Sequence, residues 1–283
     1  MIRTLHVDTG RTMQGGQWQV LYLVERLKDA TLLAPDDSPL FTEAHKREIA
    51  VRPATGKWLE TNPALVHAHD SRAHTLATLN LKLYRLPLVV SRRVGFAPKQ
   101  SLFSQLKYRF VDRYLAVSKY VAMQLREAGV PAAKIRVVYD GIPIPASTTK
   151  PKPGRVLAVP TKFTEIPGIP VRITKNLFDD LQTASVFLYV SEMEGLGSAA
   201  IAAMAAGVPV VASGVGGLPE VVDHERTGLI VRDGDYAKAV QRLLDNPNLA
   251  AELGAAGREK AIREFSVEKM VESTLSAYNE ILR

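Results

Sequence analysis

Two α/β domains, each a parallel sheet covered by helices, are what this sequence predicts, and three observations lead there. A β-branched run, a glycine turn and a helix follow one another at the start of the chain and again near residue 190. Residues 143–154, PIPASTTKPKPG, are rich in proline, threonine and lysine and have no hydrophobic period, which reads as a linker. The chain has 283 residues, 46% of them apolar, enough for two cores of ordinary size. The expected division is an N-terminal domain over 1–143, a linker over 144–154 and a shortened C-terminal domain over 155–283, the last helix packing back on the first domain.

In the first half, Ile2–Val7 is a strand, Asp8–Gln14 a polar turn, and Gly15-Gly16 open a helix with apolar residues at Val20, Leu21, Leu23, Val24 and Leu27. That unit starts doubly wound domains and brings backbone close to a phosphate, although it is not GxGxxG. Strands are expected at Thr31–Ala34 and near Ile49–Arg52; the polar region 36–62 gives no clear boundaries. Ala64–Asp70, ALVHAHD, is a strand whose HxH pair puts two imidazoles on one face. Such a pair permits zinc, but no third ligand is evident, so no metal is expected. Asp70 also reads as a helix cap beside two ordinary histidines.

After the strand Pro87–Ser91, the stretch from Arg92 to Tyr114 interleaves Phe96, Phe103, Tyr108, Phe110 and Tyr114 with Arg92, Arg93, Lys99, Lys107, Arg109 and Arg113. It reads either as a helix with core aromatics and solvated cations or as a contact with an anionic membrane surface. Strands at Tyr114–Ser118 and Ile135–Tyr139 flank a helix over 119–128.

In the second half, strands are expected at Arg155–Pro160 and Pro170–Thr174. Val186–Val190 is a buried strand, Ser191–Gly197 a glycine turn, Ser198–Ala206 an alanine-rich helix and Val208–Ala212 the next strand. The amides of the first helical turn suit phosphate, and Glu194 just ahead of them suits sugar hydroxyls or serves only as a cap. Thr227–Val231 is a last strand, and helices follow over 235–246, 249–265 and 267–282. Asp233-Gly-Asp235 reads as a turn and cap rather than a metal-binding DxD.

Composition bounds the chemistry. Cysteine is absent, which removes disulfides, thiolate metal sites and cysteine nucleophiles. No apolar run reaches the ~18–20 residues of a membrane span, and MIRTLHVDTG lacks a signal-peptide profile. Net charge is +7, but residues 1–150 carry 22 Lys+Arg against 12 Asp+Glu, while the rest carry 14 against 17. The basic half expects an anionic partner; nucleic acid rests on charge alone and is not expected.

The segment EGLGSAAIAAMAAGVPVVAS, followed by GGLPEVV and TGLIV, resembles the donor-site signature of the retaining, family 4-like GT-B glycosyltransferases that include many bacterial lipopolysaccharide and polysaccharide enzymes. The resemblance runs in order along most of the chain, with VVYDGIP as the phrase that closes the first domain. It implies two Rossmann-like domains facing across a cleft, and metal-independent transfer from a nucleotide sugar to a glycan or lipid-linked acceptor, with no cofactor. It assigns His69 and Glu194 to catalysis, and Gly15, Gly16, Gly195, Leu196, Gly197, Ser198 and Lys162 to the donor. Arg92, Arg93, Lys99, Lys107 and Arg109 lie on the acceptor or membrane side. A cytoplasmic enzyme, peripheral at the inner face of the membrane, follows; oligomeric state is left open. Two departures stand out: Ala202 replaces the second glutamate of the signature, which meets the ribose, and the segment bearing its arginine and lysine is trimmed. Both suit the alternative of a non-catalytic binding or partner subunit.

Overall fold

In the computed structural model, residues 2–54, 58–81, 86–96, 107–148, 150–160, 165–232 and 234–282 are described. The chain forms two compact units, Met1–Val138 with Met270–Arg283, and Tyr139–Lys269.

The first unit carries a parallel sheet of β1 (Thr4–Val7), β2 (Ala30–Ala34), β3 (Val51–Pro53), β4 (Leu65–Ala68), β5 (Leu88–Arg92), β6 (Arg113–Ala116) and β7 (Ile135–Val137). Their order is β3-β2-β1-β4-β5-β6-β7. Strand order reverses between β1 and β4, the place where open α/β sheets bind ligands. Helices α1 (Gly15–Arg26), α2 (Pro39–Lys46), α3 (Ser71–Leu81) and α4 (Lys119–Glu127) connect the strands. Val20, Leu21 and Val24 of α1 pack with Leu32, Leu40 and Ala44. α2 falls in the region without a clear sequence boundary. Ser38 caps it, accepting from the Phe41 amide at 3.2 Å, and Pro39 occupies its first turn.

The second unit carries β8 (Val156–Ala158), β9 (Val171–Ile173), β10 (Val186–Tyr189), β11 (Val210–Ser213) and β12 (Gly228–Val231), ordered β12-β11-β10-β8-β9 and all parallel. The reversal here lies between β8 and β10, so the loop after β10 leaves from the switch point. Helices are α5 (Leu177–Leu181), α6 (Ser198–Ala205), α7 (Leu218–Val221), α8 (Tyr236–Asp245) and α9 (Pro247–Phe265). Small residues let α9 approach: a Cβ on Gly254 would stand 2.3 Å from the Gly207 carbonyl oxygen.

The stretch read as a linker is hydrogen-bonded along this second unit. Lys150 donates to the Gln182 carbonyl at 3.1 Å and Lys152 to that of Thr183 at 3.0 Å, and just ahead of the stretch Ile142 donates to that of Phe265 at 2.8 Å. Its backbone donors find acceptors there, which proline content alone does not foretell. Helix α10 (Val267–Ile281) begins in the second unit and ends in the first, where Tyr278 is fully buried.

Candidate active site

The loop after β10 is built by two glycine pairs. Gly197 sits at φ +104° as the N-cap of α6, a conformation that suits glycine. Gly216 and Gly217 bring a second loop onto the first. A Cβ on Gly216 would lie 1.9 Å from the Glu194 carbonyl oxygen, and one on Gly217 would lie 2.2 Å from that of Gly195. The Gly217 amide donates to the Glu194 carbonyl at 3.1 Å.

The half-buried Glu194 side chain is fixed at both oxygens. Its Oε2 accepts from the Tyr189 hydroxyl at 2.5 Å, and its Oε1 accepts from the Gly195 amide at 2.9 Å. Burial, and then the neighbouring Glu194 charge, push the Tyr189 hydroxyl pKa up, so it remains a donor. Leu196 is buried, and Ser198 donates to Asp140 at 3.3 Å. No side chain caps α6, so its first-turn amides keep their affinity for an anion. A carboxylate of fixed direction thus stands beside an amide-lined helix start. Ala202 is 2% exposed inside α6, where the glutamate of the signature would stand.

In the first unit, His69 follows β4. The register pairs His6 of β1 with His67 of β4, and this brings a third imidazole that the sequence reading did not find. The metal-capable nitrogens of His6, His67 and His69 lie within 4.8 Å of one another. Their hydrogen bonds explain what the cluster does. Arg93 donates to His69 Nδ1 at 3.3 Å, which puts the His69 proton on Nε2. That N–H faces His6 Nδ1 at 2.9 Å, and His6 Nε2 then donates to Thr4 Oγ1 at 3.0 Å. His67 completes the core, bonded to the Tyr278 hydroxyl at 2.6 Å and to Ser91 Oγ at 2.8 Å.

Burial, aided by Arg93, lowers the His6 pKa to about 3 and holds His67 and His69 well below the usual range. Neutral imidazoles are metal ligands, but the bonded nitrogens and the adjacent guanidinium oppose a cation.

Asp70 is spent on structure. Its carboxylate accepts from the Thr9 amide at 2.5 Å and from the Arg72 and Ala73 amides at 2.8 Å each, capping α3.

The other predicted residues scatter. Gly15, exposed, and Gly16, half-buried, form the first turn of α1, where nothing stands within 4 Å of a Cβ; no close contact demands glycine there. Arg92 donates to the Phe96 carbonyl at 2.6 Å. Lys107, read as an acceptor or membrane-side cation, is 9% exposed and bonded to Thr75 Oγ1 at 3.1 Å; Tyr114 of the same stretch is 1% exposed. These two are interior, because α3 and β6 supply their polar and aromatic neighbours. Arg109 is exposed, and so is Phe110. Lys99 and Lys162 lie outside the described residues, as does Asp233, while Asp235 caps α8 through the Lys238 amide at 3.1 Å.

Comparison with known proteins places these features. The family model "Glycosyltransferase Family 4" matches residues 14–144, and "Glycosyl transferases group 1" matches residues 172–260. The alpha-maltose-1-phosphate synthase of Mycolicibacterium smegmatis is 41% identical over 117 residues, 38% of this chain and 30% of that protein. The D-inositol 3-phosphate glycosyltransferase of Streptomyces scabiei is 33% identical over 162 residues, 56% of this chain and 36% of that protein. The chain therefore matches about a third of the length of these curated relatives. Anabaena Alr3699/HepE, solved in complex with UDP-glucose, superposes with a TM-score of 0.82 at 16% identity, covering 99% of this chain and 100% of that one. A glycosyltransferase from Rickettsia africae superposes at 0.81, also at 16% identity, over 100% of this chain and 99% of that one. The fold is the α/β, parallel-sheet fold of GT-B glycosyltransferase structures.

Proposed function

We propose that this chain is a glycosyltransferase that moves a sugar from a nucleotide-sugar donor to a cell-envelope glycan or lipid-linked acceptor, with retention and without a metal ion. One observation carries the reading: Glu194 is held by Tyr189 and Gly195 beside the uncapped start of α6. A fixed carboxylate accepts from sugar hydroxyls, and the first-turn amides stabilise the charge that grows on a leaving diphosphate. The same segment lies inside the matched group 1 residues, which supports a donor site there. The exposed Phe96, with Arg92 over its ring, and the exposed pair Arg109 and Phe110 support contact with an anionic membrane surface on the cytoplasmic side.

Ala202 in place of a glutamate favours a second reading, a binding or partner subunit that does not turn over. Incubation with UDP-, GDP-, ADP- and CMP-sugars, followed by assay of released nucleotide with and without EDTA, separates the two. The first reading expects one donor to be consumed equally in EDTA and spared by Glu194→Ala. Donor binding without turnover by folded protein, across acceptors, establishes the second.

A further inference from the structure

Beside β12, between α7 and α8 of the second unit, lies a groove of about 710 Å³. Its floor is apolar, made by Pro219, Val222, Leu229, Ile230 and Ala239, and its rim carries Arg226, Arg232, Lys238 and Arg242. That rim runs against the charge of its surroundings. Residues 151–283 hold 14 Lys+Arg against 17 Asp+Glu, yet four of those 14 cations stand around this one groove.

Three of the four are uncompensated. Arg242 is spent on Glu225, Nη2 to Oε2 at 2.9 Å. The Arg226 and Lys238 side chains have no hydrogen bond or ion pair among the described residues, and Arg232 has a long one, from Nη1 to the Gly214 carbonyl at 3.4 Å. The acids of the lining are committed elsewhere: Asp223 Oδ1 accepts from Lys260 Nζ at 2.8 Å, and Asp235 caps α8. Like charges gathered around one groove repel, so an anion that bridges them relieves the repulsion.

Backbone and volume decide what kind of anion fits. β12 is an edge strand, but two of its outward groups are already used: the Ile230 amide donates to His224 Nδ1 at 3.0 Å, and the Gly228 carbonyl accepts from the Glu225 amide at 2.9 Å. An added peptide strand would find those groups taken. The volume is instead that of a small-molecule site, for which ~300–1,000 Å³ is usual. A guanidinium fork grips phosphate oxygens in pairs, so two forks and an ammonium ask for more than one phosphoryl group. The apolar floor asks for a flat, uncharged body. A nucleoside polyphosphate has both.

We propose that this groove is an effector site for a nucleoside polyphosphate, separate from the donor loop after β10. The two share a wall. Arg232 lies on Gly214, where a Cβ would stand 2.8 Å from the Arg232 Cγ, and Gly214 begins the turn whose Gly217 amide holds the Glu194 carbonyl at 3.1 Å. A ligand that draws Arg232 toward its phosphates acts on the loop that carries Glu194, so binding at the two places is linked. The effector role rests on the donor reading above; the site itself does not.

Thermal unfolding of the full chain in EDTA at matched ionic strength, with ATP and separately GTP titrated beside tripolyphosphate, tests the site. At least one nucleotide raises the midpoint saturably and more than tripolyphosphate does, in the wild type and in Glu194→Ala alike. Arg226→Gln combined with Lys238→Gln changes two exposed, unpaired cations. It keeps the ligand-free midpoint and the shift given by a nucleotide sugar, and it weakens nucleotide binding roughly tenfold or more. Saturating nucleotide changes the apparent Kd of the nucleotide sugar about fivefold or more, and the double variant removes that change. A nucleotide response that is absent, no larger than that of tripolyphosphate, or undiminished in the double variant overturns the site. Nucleotide binding that leaves nucleotide-sugar affinity unmoved, or that occurs in a protein with no nucleotide-sugar shift, keeps the site and overturns the effector role. A failed nucleotide response beside an intact nucleotide-sugar shift leaves the donor reading standing.

Discussion

Glu194 and His69 carry the same expectation, a catalytic role, and the structure gives them opposite settings. Glu194 is half-buried on a loop, its carboxylate aimed by one phenol and one amide. His69 is 7% exposed, with one ring nitrogen against Arg93 and the other against His6. A carboxylate that is oriented but reachable is suited to a ligand, whereas an imidazole whose two nitrogens are both engaged is suited to holding strands together. Residue type and spacing were alike suggestive in both; availability separates them.

Substitution should split the pair. Glu194→Ala is expected to lower transfer by roughly a thousandfold while the unfolding midpoint stays within a few degrees. His69→Ala is expected to cut turnover too, but with a loss of about 1–3 kcal/mol in urea unfolding, because His6 and Arg93 lose a buried partner. Equal stability losses in the two variants would erase the distinction.

Gly216→Ala presses on the carboxylate side of the comparison. Gly216 has φ +56°, and its Cβ would overlap the Glu194 carbonyl oxygen. A stability loss of about 1–3 kcal/mol and a lost donor response are expected, read by calorimetry with and without nucleotide sugar.

Acid presses on the imidazole side. His6 and His74 have folded pKa values of about 3 against 6.5 in the unfolded chain, so the unfolded chain binds more protons between those values. Their contribution is whole above pH 6.5 and is lost as pH falls toward 3, by about 1.4 kcal/mol per pH unit for each histidine. Urea midpoints that do not move between pH 7 and pH 5 would show the imidazoles to be solvated.

The smallest effect belongs to Tyr189→Phe. Loss of one hydrogen bond to a charged group should slow transfer about tenfold or somewhat more and leave the fold unchanged.

Much of the architecture was legible in the chain. The strand, glycine turn and alanine-rich helix around Glu194 read directly, because a buried parallel strand is a short apolar run and glycine marks the turn. α2 was missed although Ser38-Pro39 is a cap followed by a first-turn proline; the polar surroundings hid it. His6 was missed for a different reason. Its partnership with His67 depends on the register of two strands 61 residues apart along the chain, which no local pattern encodes. The signal existed only at the level of topology, since a doubly wound sheet sets its first strand beside the fourth. Lys107 and Tyr114 looked like surface partners because interleaved cations and aromatics carry no mark of which face is buried. Tyr189 likewise read as one more apolar strand residue, yet it holds Glu194.

The most direct test compares the unfolding midpoint shift given by a nucleotide sugar with that given by its parent nucleoside diphosphate, in the wild type and in Glu194→Ala. Wild-type protein should gain more from the nucleotide sugar than from the diphosphate, and Glu194→Ala should gain equally from both, since it keeps the amides of α6 and loses the sugar contact. A sugar-dependent increment that survives in Glu194→Ala would contradict the assignment of this loop to the donor sugar.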